Sequence, residues 1–420
     1  MTAANPALSY DSAPSFATPL RFFLTAPLFG IAAGLLVTLS PELLESRWTP
    51  GALALTHLIA VGFMLMVMVG ALFQILPVVA GASVPYSATL ATLVHLGLTS
   101  GAITLTWGLG SSTPAVLPVA VALLGASFAL FLAGAAYGLA KTPIAQATPR
   151  DLRLAMMGFG VAVMLGLLLA MTVGGEISLP LMMTVKLHIG WAWLGGSGIL
   201  LAAASWVVVP MFQITPSYPL SMTRYWAIAC GVALMLWSAA VYAGLAAPEM
   251  ALLLLLLMLS ASFAVATLRL QQKSRRSKPD TTTRAFQLGM ASLLAALGFI
   301  ITSHLLDDNV WPVLAGILVL HGCFVSVIIG MLYKIVPFLA WLHLTQDKGK
   351  APNMKKLLPD TPTRRQLMVH TGTLFVLLAA AASGLPMLGR LAGVLLVVES
   401  AWLLHNLYGV VKGYRAAQSA

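Results

Sequence analysis

Apolar residues run in blocks of about 20 or more, separated by short polar breaks, from about residue 19 to residue 411. A helical block of that length crosses a hydrocarbon core of about 30 Å. The pattern predicts twelve spans: about 19–39, 51–77, 87–109, 115–140, 154–174, 180–210, 225–246, 249–268, 285–304, 311–338, 367–387 and 391–411. The expected fold class is an all-α polytopic membrane protein. Its twelve transmembrane helices form three pseudo-repeated four-helix units, about 19–140, 154–268 and 285–411, in a single membrane domain, 1–420. The first span follows a polar tail with no basic residue before Arg21, so it reads as a transmembrane helix rather than a cleaved leader.

The rare polar positions inside these blocks carry the repeat. His57, His188 and His321 are separated by 131 and 133 residues and follow Pro50, Pro180 and Pro312 by 7, 8 and 9. The run after each ends near Pro77, Pro210 or Pro337, with Phe73, Trp206 or Tyr333 four residues earlier. Helix starts are signalled by Thr49, Ser178 and Asn309. The spacing predicts three imidazoles at one depth, on the second helix of each unit. An imidazole in hydrocarbon is costly without a partner, and histidine is the commonest metal-ligand type. The plain alternative is a packing histidine bonded to a carbonyl.

Composition agrees with the span pattern. The chain is 59% hydrophobic and 8% charged, against about 25% charged in soluble proteins. The net charge of +11 does not indicate nucleic acid, because the basic residues cluster in short breaks between spans. Lys141, Arg150 and Arg153 share one side with Arg224, the 269–284 loop, the 344–366 loop (Lys348, Lys350, Lys355, Lys356, Arg364, Arg365), Lys412 and Arg415. That bias predicts a bacterial-type inner membrane, with those loops and both termini in the cytoplasm. Cys230 and Cys323 form no C-x-x-C motif, so neither covalent heme attachment nor a zinc knuckle is expected.

Twelve helices in three arcs, with histidines on helices two, six and ten, resemble subunit I of the heme-copper oxidase superfamily. That group includes the nitric oxide reductases, and the NnrS-type membrane heme proteins look related. The stretches are Thr56-His57-Leu58-Ile59 through Phe73-Gln74-Ile75-Leu76-Pro77, and His321-Gly322-Cys323 through Tyr333-Lys334-Ile335-Val336-Pro337. The resemblance implies that His57 and His321 ligate a low-spin heme b, and that His188 matches a copper-binding histidine. The second helix-ten histidine, the helix-seven pair and the residue after the helix-six histidine all depart from the pattern, so a copper center is not expected. What remains is one heme b suited to electron transfer, with His188 a candidate ligand of a second that binds a gas such as nitric oxide. A quinol or a periplasmic cytochrome is the implied redox partner.

Three basic residues break the charge bias: Arg47, Lys186 and Arg390. Each is a candidate for holding heme propionates, or else an interfacial charge beside Glu42, Glu45 or Glu176. Glu399 and His405 on span twelve and His95 on span three are further intramembrane polar groups; a buried glutamate flags function. His304, His343 and His370 are given no role. The 20 methionines, Met64, Met66 and Met68 among them, read as core filler rather than copper handling. Two function classes follow: a heme-b protein for electron transfer or nitric oxide chemistry, or a secondary transporter, possibly of metal, without heme. Twofold repeats are common in the second class, whereas this repeat looks threefold.

Overall fold

A computed structural model describes residues 13–111, 113–143, 146–348 and 351–419. The polar tail before residue 13 and Lys350 of the basic loop lie outside the described residues. Among the described residues, twelve helices are long and apolar enough to cross a membrane. They are α1 Ala17–Leu39, α2 Pro50–Ala80, α3 Ser87–Gly110, α4 Pro114–Ala140, α5 Ala147–Val173, α6 Leu181–Gln213, α7 Leu220–Tyr242, α8 Ala246–Gln272, α9 Thr281–Leu305, α10 Val310–Asp347, α11 Asp360–Ser383 and α12 Pro386–Ser419. No strand occurs among the described residues, and the all-α polytopic class is the observed one.

Several helices begin well before their apolar core. α5 and α11 each start seven residues earlier than the hydropathy pattern suggests, because their first turns are polar. The described part of the 344–366 segment is largely helical: the α10 helix reaches Lys348, a short turn spans Met354–Leu357, and α11 begins at Asp360. Caps explain some of the ends. Thr49 Oγ1 accepts from the Ala52 amide ahead of Pro50. Asp280 Oδ1 accepts from the Thr283 amide at the start of α9. The Asn309 side chain makes no cap bond; Asp308 Oδ1 takes the Val310 amide instead. Gly384, at φ 64°, ends α11 in the left-handed conformation, and Pro386 opens α12 two residues later.

By packing, the described chain falls into two compact units. One gathers Val69–Gly101 and Pro114–Ser274 with the chain up to Pro19; the other gathers Leu20–Met68, Ala102–Thr113 and Arg275–Ala420. The division runs through α1, α2 and α3 and so does not follow the four-helix repeats. In the first unit, an aromatic cluster of Trp206, Tyr218, Trp226 and Phe263 packs edge to face and stacked. In the second, α1 lies against α12 with almost no side chain between them. A Cβ on Gly34 would meet the Val397 amide at 2.6 Å and the Gly393 carbonyl at 2.7 Å. Small residues spaced four apart (Gly30 and Gly34) allow this backbone approach, the common device for packing helices in lipid.

The repeat is clearest in the winding of the helix. α2, α6 and α10 each loosen from α to π over eight residues: Leu58–Leu65, Trp191–Gly198 and Leu318–Val325. Each π segment opens 19 residues before Pro77, Pro210 or Pro337, and its fifth residue is a glycine, Gly62, Gly195 or Gly322. In this frame the histidines are not equivalent. His57 directly precedes its π segment, His188 stands three residues before its own, and His321 is the fourth residue inside. The equal depth expected from the upstream prolines is therefore not kept. The downstream proline and the π turn set the frame, and His321 sits about one turn further along it than His57.

Candidate metal centre

The buried polar groups of the second unit converge on three side chains. His321 comes from the π segment of α10, His370 from α11 and Glu399 from α12; they are 5%, 0% and 2% exposed. Glu399 lies within the stretch of α12 that packs closely on α1, between Gly393, which faces Gly34, and Ser400, which faces Gly30. His321 is held by its neighbour Gly322, where a Cβ would meet the Ser292 side chain of α9 at 2.7 Å. His370 belongs to a polar stripe on α11: Thr363, Gln366, His370 and Thr373 follow the helical repeat, and all four are buried.

One donor atom from each of His321, His370 and Glu399 lies within 4.8 Å of the other two. His370 Nδ1 is 3.2 Å from Glu399 Oε2 and 3.3 Å from Oε1. His321 Nε2 is 3.6 Å from Glu399 Oε1, too far for a hydrogen bond, and this buried nitrogen has no hydrogen-bond partner. The imidazole rings of His321 and His370 lie 4.3 Å apart, centroid to centroid. Metal–ligand bonds of roughly 2.0–2.1 Å in a tetrahedron separate neighbouring donors by about 3.3 Å. His370 Nδ1 and His321 Nε2 stand 3.3 and 3.6 Å from the same Oε1, close to that edge, and all three donors lie within 4.8 Å, so the three groups could hold a metal ion.

Outer contacts orient the donors. His370 Nε2 and Ser326 Oγ are 2.8 Å apart, which leaves Nδ1 toward Glu399. Gln366 Nε2 donates to the Glu399 carbonyl at 3.2 Å. Second bonds of this kind fix ring orientation and tautomer in metal sites. No Lys or Arg pairs with Glu399 among the described residues; its carboxylate meets the two imidazoles and the Thr373 hydroxyl.

Two cavities meet at His321, both within this unit. The smaller, about 10 Å³, is lined by His321, Glu399, Ser400 and Phe63, among others. The larger, about 130 Å³, extends from His321 and Leu320 past Thr56 to Ser46 and Arg47. Ile59, His321 and Leu396 line both.

The remaining sequence candidates are placed as follows. His57, half-buried, has its Nδ1 2.7 Å from the Leu53 carbonyl; α2 lines the larger cavity through Ala52, Leu55, Thr56 and Ile59, not through His57. His188 belongs to the other unit, where its Nδ1 is 2.9 Å from the Ala162 carbonyl. Lys186, also there, pairs with Glu249 at 2.7 Å, a partner not among the glutamates expected for it. Arg390 is exposed on the first turn of α12 rather than in a loop. His405 is exposed, and His95 is half-buried in α3.

Of the three clustered groups, the sequence marks His321 as a ligand and Glu399 as a buried polar group. His370 has no role in the sequence pattern, because an apolar start of span eleven at 367 puts it at a helix end. The polar stripe at 363, 366, 370 and 373 was the available signal. In comparisons with known proteins, the chain matches no family model and no curated protein.

Proposed function

We propose that the protein is an integral-membrane metalloprotein whose transition-metal ion is held by His321, His370 and Glu399, with an open position toward the larger cavity. The observation that carries this reading is the buried His321 Nε2, which lacks a hydrogen-bond partner yet stands 3.6 Å from Glu399 Oε1. A buried polar atom without a partner costs free energy, and a shared cation removes the cost for both groups. Two imidazoles and one carboxylate with room for a further ligand suit iron, zinc or manganese. A redox-active ion in such a site supports electron transfer or small-ligand chemistry. Quinol or a periplasmic cytochrome would then supply electrons. The same reading puts the basic connectors and both termini in the cytoplasm of a bacterial-type inner membrane, on the charge bias alone.

Metal analysis of the purified full-length protein is the test. About one transition-metal ion per chain is expected, lost in His321→Ala, His370→Ala and Glu399→Gln and kept in His57→Ala and His188→Ala. A metal content unchanged by all three cluster variants, or no metal even after reconstitution, would overturn the reading.

A second reading keeps the resemblance to the oxidase superfamily: heme b in the apolar cavity, with His321 as an axial ligand and Arg47 near the propionates. The cavity wall favours it, since it joins one imidazole and one guanidinium across apolar residues. A pyridine hemochromogen assay separates the two readings. Heme lost in His321→Ala but retained in His370→Ala would favour the porphyrin, and absence of heme from the wild type would remove it.

A further inference from the structure

We propose that the larger cavity is a binding site for a small inorganic anion, which enters past Arg47 and becomes the fourth ligand of the metal. This deepens the metalloprotein reading and rests on it. Three protein donors leave a tetrahedral ion one position short. His321, the donor shared by both cavities, lines the route to that position.

Charge selects the ligand. A divalent ion with a single carboxylate and two neutral imidazoles keeps a net charge of +1 in an apolar interior, where an anion neutralises it. Among the described residues that line the larger cavity, Arg47 is the one with a charged side chain. Its guanidinium rests 4.7 Å from the Trp48 ring centroid, and no carboxylate of the described residues pairs with it. Glu42 and Glu45, close by in sequence, are exposed and are not part of the lining. Most of the remaining wall is apolar, as at Leu55, Ile317 and Leu377, and Arg47, itself exposed, stands at the end of the cavity away from His321, where an entering anion meets it first. The volume of about 130 Å³ is several times the roughly 10–15 Å³ that one water needs, which is ample for an ion of three atoms.

The full-length protein, loaded with Co²⁺ and titrated with azide, gives a direct readout through the visible d–d bands of the cobalt. A saturable spectral change is expected. Arg47→Ala should weaken it by about tenfold or more, the loss of one charge-assisted contact, and Arg47→Glu should weaken it further. Cobalt stoichiometry should stay unchanged in both. Gly316→Leu is an independent probe: a Cβ at Gly316 meets nothing within 4 Å, and Gly316 lines the cavity. The leucine should fill the space and abolish the azide response while cobalt remains bound. Cobalt bound at one per chain with bands unmoved by azide would overturn the anion site and leave the metal centre standing. So would an azide affinity in Arg47→Glu within twofold of wild type. No cobalt bound at all would overturn both.

Discussion

Among the described residues each compact unit buries one carboxylate, and the two are handled in opposite ways. Asp151, fully buried in the first unit, receives Arg150 Nε at 2.9 Å and Nη2 at 2.7 Å on one oxygen, and the Trp206 indole at 2.9 Å on the other. Glu399, 2% exposed in the second, faces two imidazoles and the Thr373 hydroxyl but no cationic side chain among the described residues, and one of those imidazoles has an unpartnered nitrogen. A buried anion with its own arginine is a finished structural pair. A buried anion with neutral donors around it is finished by something that arrives, a metal ion or a proton. The repeated frame sharpens the contrast. Trp206 and Tyr333 stand four residues before Pro210 and Pro337, yet the indole serves the carboxylate of its unit whereas the Tyr333 hydroxyl accepts from Asn406 Nδ2. At the equivalent place in α2, Phe73 packs edge-on against Phe131. One scaffold position thus takes an acid, an amide or an aromatic ring as its partner.

The largest effect that tests this contrast is loss of the metal. Glu399→Gln should reduce affinity for Zn²⁺ by at least about a hundredfold, more than a change outside the donor set would cost. Asp151→Asn should leave that affinity untouched. Isothermal titration on both variants decides between them, and an equal effect would erase the distinction.

Stability should respond in the reverse order. Asp151→Ala strands the partly buried Arg150 and should cost about 3–5 kcal/mol in denaturant unfolding. Pairing it with Arg150→Met should recover much of the loss. Glu399→Gln should change the stability of the metal-free protein far less, and a comparable loss would mean that Glu399 is also a structural group.

Ser326→Ala removes the 2.8 Å contact to His370 Nε2 without touching a donor. A tenfold to hundredfold weaker metal affinity at unchanged stoichiometry is expected, as for other contacts that orient a ligand. Unaltered affinity would mean that the serine only packs.

The smallest effect belongs to Asp280, outside the spans. Burial works to raise its carboxyl, but the Thr283 amide, Lys334 and Arg276 outweigh it and hold the group below the usual carboxylate range. A depressed native value adds stability above the ordinary value of about 3.9, and that stability is lost as pH falls through the native value. Asp280→Ala should cost about 1 kcal/mol at neutral pH through the lost cap. The gap to wild type should close below about pH 4, as unfolding curves against pH would show.

Much of the fold was legible in advance because lipid makes the rule simple: a backbone in hydrocarbon must be helical, so apolar length alone marks each span. The count of twelve follows from that rule, as do Pro77, Pro210 and Pro337 as marks of a threefold frame. Helix starts were less legible where polar first turns, as at Asp360 and Thr281, hide a helix behind a loop-like composition. That error of seven residues hid His370. The matched histidine spacing misled in another way. It counted from upstream prolines, whereas the π segments hold register with the downstream ones.

Sequence by itself determined the class of molecule, its span number, its side-to-side charge bias and the presence of a few costly polar groups in an apolar chain. Which of those groups meet was decided only in three dimensions. His321, His370 and Glu399 lie on three different helices, and their approach depends on glycine contacts between helix backbones and on a π turn that resets the angle of α10. A hydropathy pattern fixes the axial position of a side chain but not its rotation or its neighbour, because any apolar surface in lipid accepts any other until backbone-close packing selects one.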